Sequence, residues 1–236
     1  LKCVKDALFL EIVNAYYSIF VDIQAQFKEA EFENEEPNRY ISREIVRELQ
    51  TEYADIELGE MSVMNALSAI YDKKGSRFVI IFDEWDYPIR EFGEEDPHRR
   101  AYTEMLRGLF KNNAAKSYIR LAYLTGIMPI VRTKGQSAVN NFMEYTMTNP
   151  MDLAQDIGFT EEEVFSLCER AGVDFEQMKE WYNGYDFNGT AMYNPLSVVR
   201  AVSTKRFQQY WSVTGTYGDI DDLISRNFDG LREDII

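Results

Sequence analysis

The sequence predicts an α/β protein: a partial parallel-sheet core with helices over residues 1–150, then a mostly helical region with a small hairpin over 151–236. Three observations predict it. Phe78–Phe82 is an uninterrupted apolar run ending in Asp83-Glu84, the composition of a central strand buried on both faces of a parallel sheet. Ile119–Leu124 is a second apolar run, and the helical pattern between the two makes a crossover unit. Beyond Pro150 a helix-capping signature and two Asn-Gly turns replace that alternation.

Val4, Leu8, Ile12, Ala15 and Ile19 recur at helical spacing, with Phe9, Val13, Tyr16, Phe20, Ile23 and Phe27 widening the stripe. A long amphipathic helix is expected there. Glu29–Asn38 reads as an acidic connector, followed by a helix from Ser42 to Tyr53 and another from Met61 to Tyr71. The latter stops at Lys73-Lys74-Gly75, where cations suit a helix carboxyl end and glycine suits the cap. After the Phe78–Phe82 strand, Pro97 opens a helix reaching Asn113. The Ile119–Leu124 strand ends in Thr125-Gly126. Only two strands are legible, so the core reads as the second half of a doubly wound sheet, and the start at Leu1 rather than Met reads as a fragment.

In the second region, Thr160 is the expected N-cap, with Glu163 at N3 and Phe159 and Val164 at the hydrophobic-staple positions. Helices to Ala171 and from Phe175 to Tyr182 follow, then a hairpin about Asn183-Gly184 and Asn188-Gly189. Asn194-Pro195 opens a further helix, and Tyr210-Trp211 through Asn227 is helical and irregular.

A chain with 45% hydrophobic and 28% charged residues is of ordinary globular composition. No apolar run approaches bilayer length, and the amino-terminal residues lack a signal-peptide pattern, so a cytoplasmic protein is expected. Cys3 and Cys168 are too few for a disulfide framework or a zinc knuckle. A net charge of −15 argues against nucleic acid and anionic membranes as partners. The charge is uneven. Met105–Met143 has no acid yet carries Arg107, Lys111, Lys116, Arg120, Arg132 and Lys134, and Phe187–Gly218 is a second acid-free stretch. These are the places that tolerate a phosphate, unless they are simply solvated faces.

Asp83 and Glu84 lead the candidate residues. A strand-end carboxylate can hold Mg²⁺ and the next can polarise water, the Walker B arrangement of a nucleoside triphosphatase. The bland alternative is that an acid marks where the chain enters solvent. Asp86 adds a third carboxylate or serves a turn or cap. Thr125 ends the other strand, where a hydroxyl can sense a terminal phosphate, align water, or satisfy the backbone. Arg132 and Lys134 lie just beyond and can reach a phosphate, or are exposed solubilising bases. His98, the single histidine, sits in a helix-start loop with no nucleophile motif nearby. Asp72-Lys73-Lys74 matches half of a nuclease signature, but at a helix end. No glycine-rich loop ending in Gly-Lys-Ser or Gly-Lys-Thr occurs, and Lys134-Gly135-Gln136-Ser137 has the wrong order. That loop is expected upstream of Leu1; otherwise the chain is not an active triphosphatase.

In order along the chain, Phe82-Asp83-Glu84-Trp85-Asp86, Tyr123-Leu124-Thr125-Gly126-Ile127, Gly158 to Val164, Trp181 to Phe187, Tyr193 to Val198, Tyr210-Trp211 and Thr214-Gly215 make the chain similar to the bacterial AAA-ATPase-like family. Members commonly carry a carboxy-terminal PD-(D/E)XK nuclease-like domain. The resemblance implies a P-loop nucleoside triphosphatase fold with ATP and Mg²⁺ as cofactors. It implies Asp83 as metal and nucleotide ligand, Glu84 as catalytic carboxylate and Thr125 near the sensor position, with a helical lid after Pro150. Nucleotide, other proteins or further copies of the chain are the expected partners. Two other classes remain open: a non-catalytic interaction scaffold, and a metal-dependent nuclease, which needs a strand-borne lysine.

Overall fold

The computed structural model describes residues 15–128, 140–146, 149–187 and 189–210. Along the first part run β1 (Tyr17–Asp22), α1 (Ile23–Glu33), α2 (Pro37–Glu52), α3 (Val63–Lys74), β2 (Phe78–Asp83), α4 (Tyr87–Glu91), α5 (Pro97–Lys111), α6 (Ala115–Tyr118) and β3 (Ile119–Leu124). A 3-10 segment at Met151–Asp156 precedes β4 (Phe159–Thr160), α7 (Glu161–Ala171), α8 (Phe175–Tyr182), β5 (Asn183–Phe187), β6 (Thr190–Tyr193) and α9 (Pro195–Thr204). The chain divides into two compact units, residues 1–143 and 144–236.

The first unit is α/β. Strands β1, β2 and β3 form one parallel sheet in that order, with Tyr17 opposite Phe78, Asp22 opposite Asp83, and Phe82 opposite Leu124. The single long helix expected across Val4 to Phe27 does not form over the described residues. Its part before residue 15 lies outside the described residues, and the remainder is a strand followed by a separate helix. Ile19 and Ile23 satisfy a helical spacing, but Tyr17, Ile19 and Val21 also alternate, and the neighbouring strand rewards the second pattern. Asp22 makes the break, its carboxylate capping α1 by accepting from the Ala25 amide at 2.9 Å. A third strand therefore joins the two that were legible.

The acidic connector is also mostly helix. Helix α1 continues to Glu33 and stops where Asn34 turns left-handed at φ 55°. Glu36 then caps α2, accepting from the Arg39 amide at 2.8 Å, with Pro37 in the first turn. Lys73, Lys74 and Gly75 end α3 as expected, Gly75 at φ 68°.

Ile19, Val21, Phe78, Ile80 and Phe82 are buried on one face of the sheet. Each such side chain contributes ~1.5–3 kcal/mol by leaving water. The alternate positions are less covered: Val79 and Ile81 are half-buried, and Phe20, Leu121 and Tyr123 are exposed by 59%, 55% and 49%. Among the described residues, β2 is thus fully packed on one face rather than on both.

The second unit combines helices with an antiparallel sheet in the order β4-β6-β5. Its first helix has the capping box: the Thr160 hydroxyl accepts from the Glu163 amide at 3.4 Å, and the Glu163 carboxylate accepts from the Thr160 amide at 3.0 Å. Phe159 packs against the cluster that contains Val164, Cys168, Met178, Tyr182, Tyr193 and Val198. Asn194 caps α9 and Pro195 opens it. Cys168 is a buried free thiol, and burial pushes its titration up. Cys3 and the segment from Trp211 onward lie outside the described residues. No described helix is long and apolar enough to cross a membrane.

Candidate active site at the strand ends

Parallel pairing brings the carboxyl ends of the three strands level, so chemistry carried by strand ends converges. Asp22 and Asp83 are direct register partners. The chain leaving β3 stays tied to β2, because the Thr125 amide donates to the Phe82 carbonyl at 2.9 Å and the Trp85 amide donates to the Thr125 carbonyl at 3.0 Å. This places the Thr125 hydroxyl over Asp83, donating to its Oδ1 at 2.5 Å. The Glu84 amide donates to the same oxygen at 3.0 Å. Asp83 and Thr125 are each half-buried.

Glu84 turns the chain through a left-handed conformation, φ 50°. For an L-residue with a Cβ this costs about 1–2 kcal/mol. The turn sends Trp85 into the core, 3% exposed, while the Glu84 side chain stays 36% exposed. The buried Tyr102 fixes this geometry, its hydroxyl donating to the Trp85 carbonyl at 2.7 Å. Nη2 of Arg90 lies 2.7 Å from Oε2 of Glu84. Partial burial pushes the Glu84 carboxyl up; Arg90 opposes this, and the negative neighbours Asp86, Asp83 and Asp22 reinforce it.

Asp86 is wholly buried. It stands just before α4 but makes no capping hydrogen bond. Its Oδ2 accepts from the Met128 amide at 2.8 Å and the Ile127 amide at 3.2 Å, and lies 3.2 Å from Nε of Arg90. Burial raises this carboxyl, against the pull of Arg90 and the two amides. Its Oδ1 has no hydrogen-bond partner and faces Gly126, where a Cβ would sit 2.3 Å from it and 2.8 Å from Cδ1 of Trp85. Only glycine allows this approach. The Asp-Glu-Trp-Asp and Thr-Gly-Ile segments are therefore interlocked parts of one structure.

The structure thus brings Asp83, Glu84 and Thr125 together. Arg132 and Lys134 lie outside the described residues. His98 packs its ring against Phe92, the centroids 5.6 Å apart. Lys74 of the Asp72-Lys73-Lys74 segment pairs with Asp55, and no described strand carries the lysine that a nuclease reading requires. A cleft of about 450 Å³ opens elsewhere, beside β1 and α2, and is lined by Tyr17, Glu44 and Glu48 rather than by the strand-end acids. Arg90 carries only a weak sequence signal, its spacing four residues after Asp86 in a helical segment, which suits an ion pair.

Among the described residues no three His, Cys, Asp or Glu side chains form a metal cage. Magnesium bound with a nucleotide asks less: one or two carboxylates, with phosphate oxygens and water completing its shell. Asp83 fits that demand, one oxygen being fixed by Thr125 and Glu84 and the residue remaining partly open to solvent.

Comparison with known proteins adds a relative, an uncharacterised protein in the vnfD 5′ region of Azotobacter chroococcum mcd 1. It is 29% identical over 154 residues, 64% of this chain and 30% of that protein. The chain thus spans under a third of the length of this curated relative. No solved structure matches. The family described as predicted AAA-ATPase matches residues 6–134, a span that holds the three strands, the acidic strand end and Thr125. With more than half of its length so matched, the chain belongs to the predicted AAA-ATPase family.

Proposed function

We propose that the full-length protein binds ATP with Mg²⁺ at the carboxyl ends of β2 and β3 and hydrolyses it. The observation that carries the reading is the hydrogen bond from Thr125 to Asp83 across neighbouring parallel strands, with Glu84 beside it. Asp83 would hold Mg²⁺, which when bound neutralises charge on the triphosphate. Thr125 orients Asp83, since its hydroxyl is committed to that carboxylate. Glu84, with its carboxylate partly open to solvent, accepts the proton of the water that attacks the terminal phosphorus, and ADP leaves. Arg132 and Lys134 are assigned to the phosphates. The same reading places the protein in the cytoplasm, with other proteins or further copies of itself as partners.

This sequence contains no Gly-Lys-Ser or Gly-Lys-Thr loop, so the test uses the full-length protein. Binding of labelled ATP and phosphate release are compared for wild type, Asp83→Ala and Glu84→Gln. Expected are weakened magnesium-dependent binding in the first variant, and retained binding with turnover reduced to a small measurable rate in the second. Equal binding and turnover in all three would remove these carboxylates from the mechanism. No binding in any would leave the fold as an interaction scaffold.

A further inference from the structure

Arg90 is 9% exposed and spans two carboxylates, Glu84 through Nη2 at 2.7 Å and Asp86 through Nε at 3.2 Å. The two acids differ. Asp86 is fully buried and anchored by two backbone amides, so it cannot follow the guanidinium; Glu84 is partly exposed and lies on the strained turn. The Asp86 contact is an ion pair at the Nε edge, and because the guanidinium is planar, holding that edge against an immobile carboxylate restricts the direction of its Nη donors. The Glu84 carboxylate is thereby aimed by a partner that is itself immobile. The immobility comes from the Gly126–Met128 segment, which follows Thr125 directly.

We propose that Arg90 is the positioning residue for Glu84, and that buried Asp86 is its fixed anchor, so that the loop leaving β3 sets the direction of the carboxylate next to β2. This rests on the reading of Glu84 as the group that activates water. Arg90 touches no reacting atom in this arrangement and acts through Glu84. Oε2 of Glu84 is engaged by the guanidinium, and its other oxygen is the one assigned to water.

Removing Arg90 alone strands the Asp86 charge in the core and risks unfolding the protein. The informative variant is therefore Asp86→Asn with Arg90→Met, which removes both charges while Asn keeps an acceptor for the two loop amides. In the full-length protein it is expected to melt near the wild-type temperature and to bind ATP within about threefold of wild type. Its kcat should fall on the order of 10–100-fold, the loss typical of a misplaced catalytic group. Arg90→Lys, which offers one ammonium for two carboxylates, should fall between. In a Glu84→Gln background the double substitution should lower turnover no further. Wild-type kcat in the folded double variant would overturn the proposal, as would an equal loss in the Glu84→Gln background, because that marks a structural effect. Full turnover by Glu84→Gln alone is a different result: it ends the reading of Glu84, and the positioning role falls with it.

Discussion

The Thr125 hydroxyl reaches Oδ1 of Asp83 at 2.5 Å, so the residue that follows β3 fixes a carboxylate that belongs to β2. A hydrogen bond to an ionised group is stronger than one between neutral groups, but a partly open carboxylate recovers some of its loss from water.

Thr125→Val keeps the branched shape suited to a strand end and deletes the donor. It should cost about 1 kcal/mol, a fall in melting temperature of roughly 2–4 °C for a protein of this size. Thr125→Ser should retain most of the stability, because the hydroxyl remains. Thermal unfolding monitored by circular dichroism measures both; a serine variant less stable than the valine variant would contradict the assigned role.

Two glycines should respond to alanine with opposite signs. At Gly126 the new methyl would meet Oδ1 of Asp86 at 2.3 Å, an oxygen that cannot retreat because the Ile127 and Met128 amides pin its carboxylate. Overpacking of this kind costs about 1–3 kcal/mol or more. At Gly108, inside α5, a methyl would meet only the flexible end of Met64, at 3.4 Å. There the helix should gain roughly 0.5–1 kcal/mol. Denaturant midpoints for Gly126→Ala and Gly108→Ala test the pair, and a stabilising Gly126→Ala would refute the packing described.

Tyr193 gives the second unit an alkaline limit. Its side chain is buried, its hydroxyl donates to Glu161 at 3.3 Å, and burial first, then the negative Glu161, pushes its titration from 10.0 up to about 12. The folded chain therefore favours the neutral phenol. Stability from this source is complete below pH 10 and is lost as pH rises towards about 12. Tyr193→Phe should remove that part of the pH dependence while leaving neutral-pH stability lowered by about 1 kcal/mol for the lost hydrogen bond. Unfolding midpoints of both proteins across this range decide it; parallel alkaline curves would exclude Tyr193 as the cause.

Local signals carried much of this fold in the sequence. The β2 run, the Thr160–Glu163 box and the Asn194-Pro195 helix start each act within a few residues and occur where the pattern places them, whereas Asn183-Gly184, expected as a turn, opens strand β5, and Asn188 lies outside the described residues. Strand β1 was hidden because Ile19 and Ile23 fit two periods at once, and only pairing with β2 selects between them. The site divides along the same line. Asp83, Glu84 and Thr125 come together once β2 and β3 pair in parallel, and strand ends are visible in sequence. Asp86 does stand in the turn at the start of α4, but the amides its side chain holds belong to a loop beyond the next strand, which local spacing does not reveal. Arg90 joins Glu84 to Asp86 through a side-chain path that spacing alone leaves undetermined.

The fit of Asp86 against Gly126 also limits how this protein can change over generations. A larger residue at 126 has no room while the aspartate is present, and loss of the aspartate releases the amides that follow the glycine. Neither position can drift alone. Two short words far apart in the gene are thus inherited as a single trait, and a larger residue at 126 should be recovered in a suppressor screen only together with a smaller one at 86.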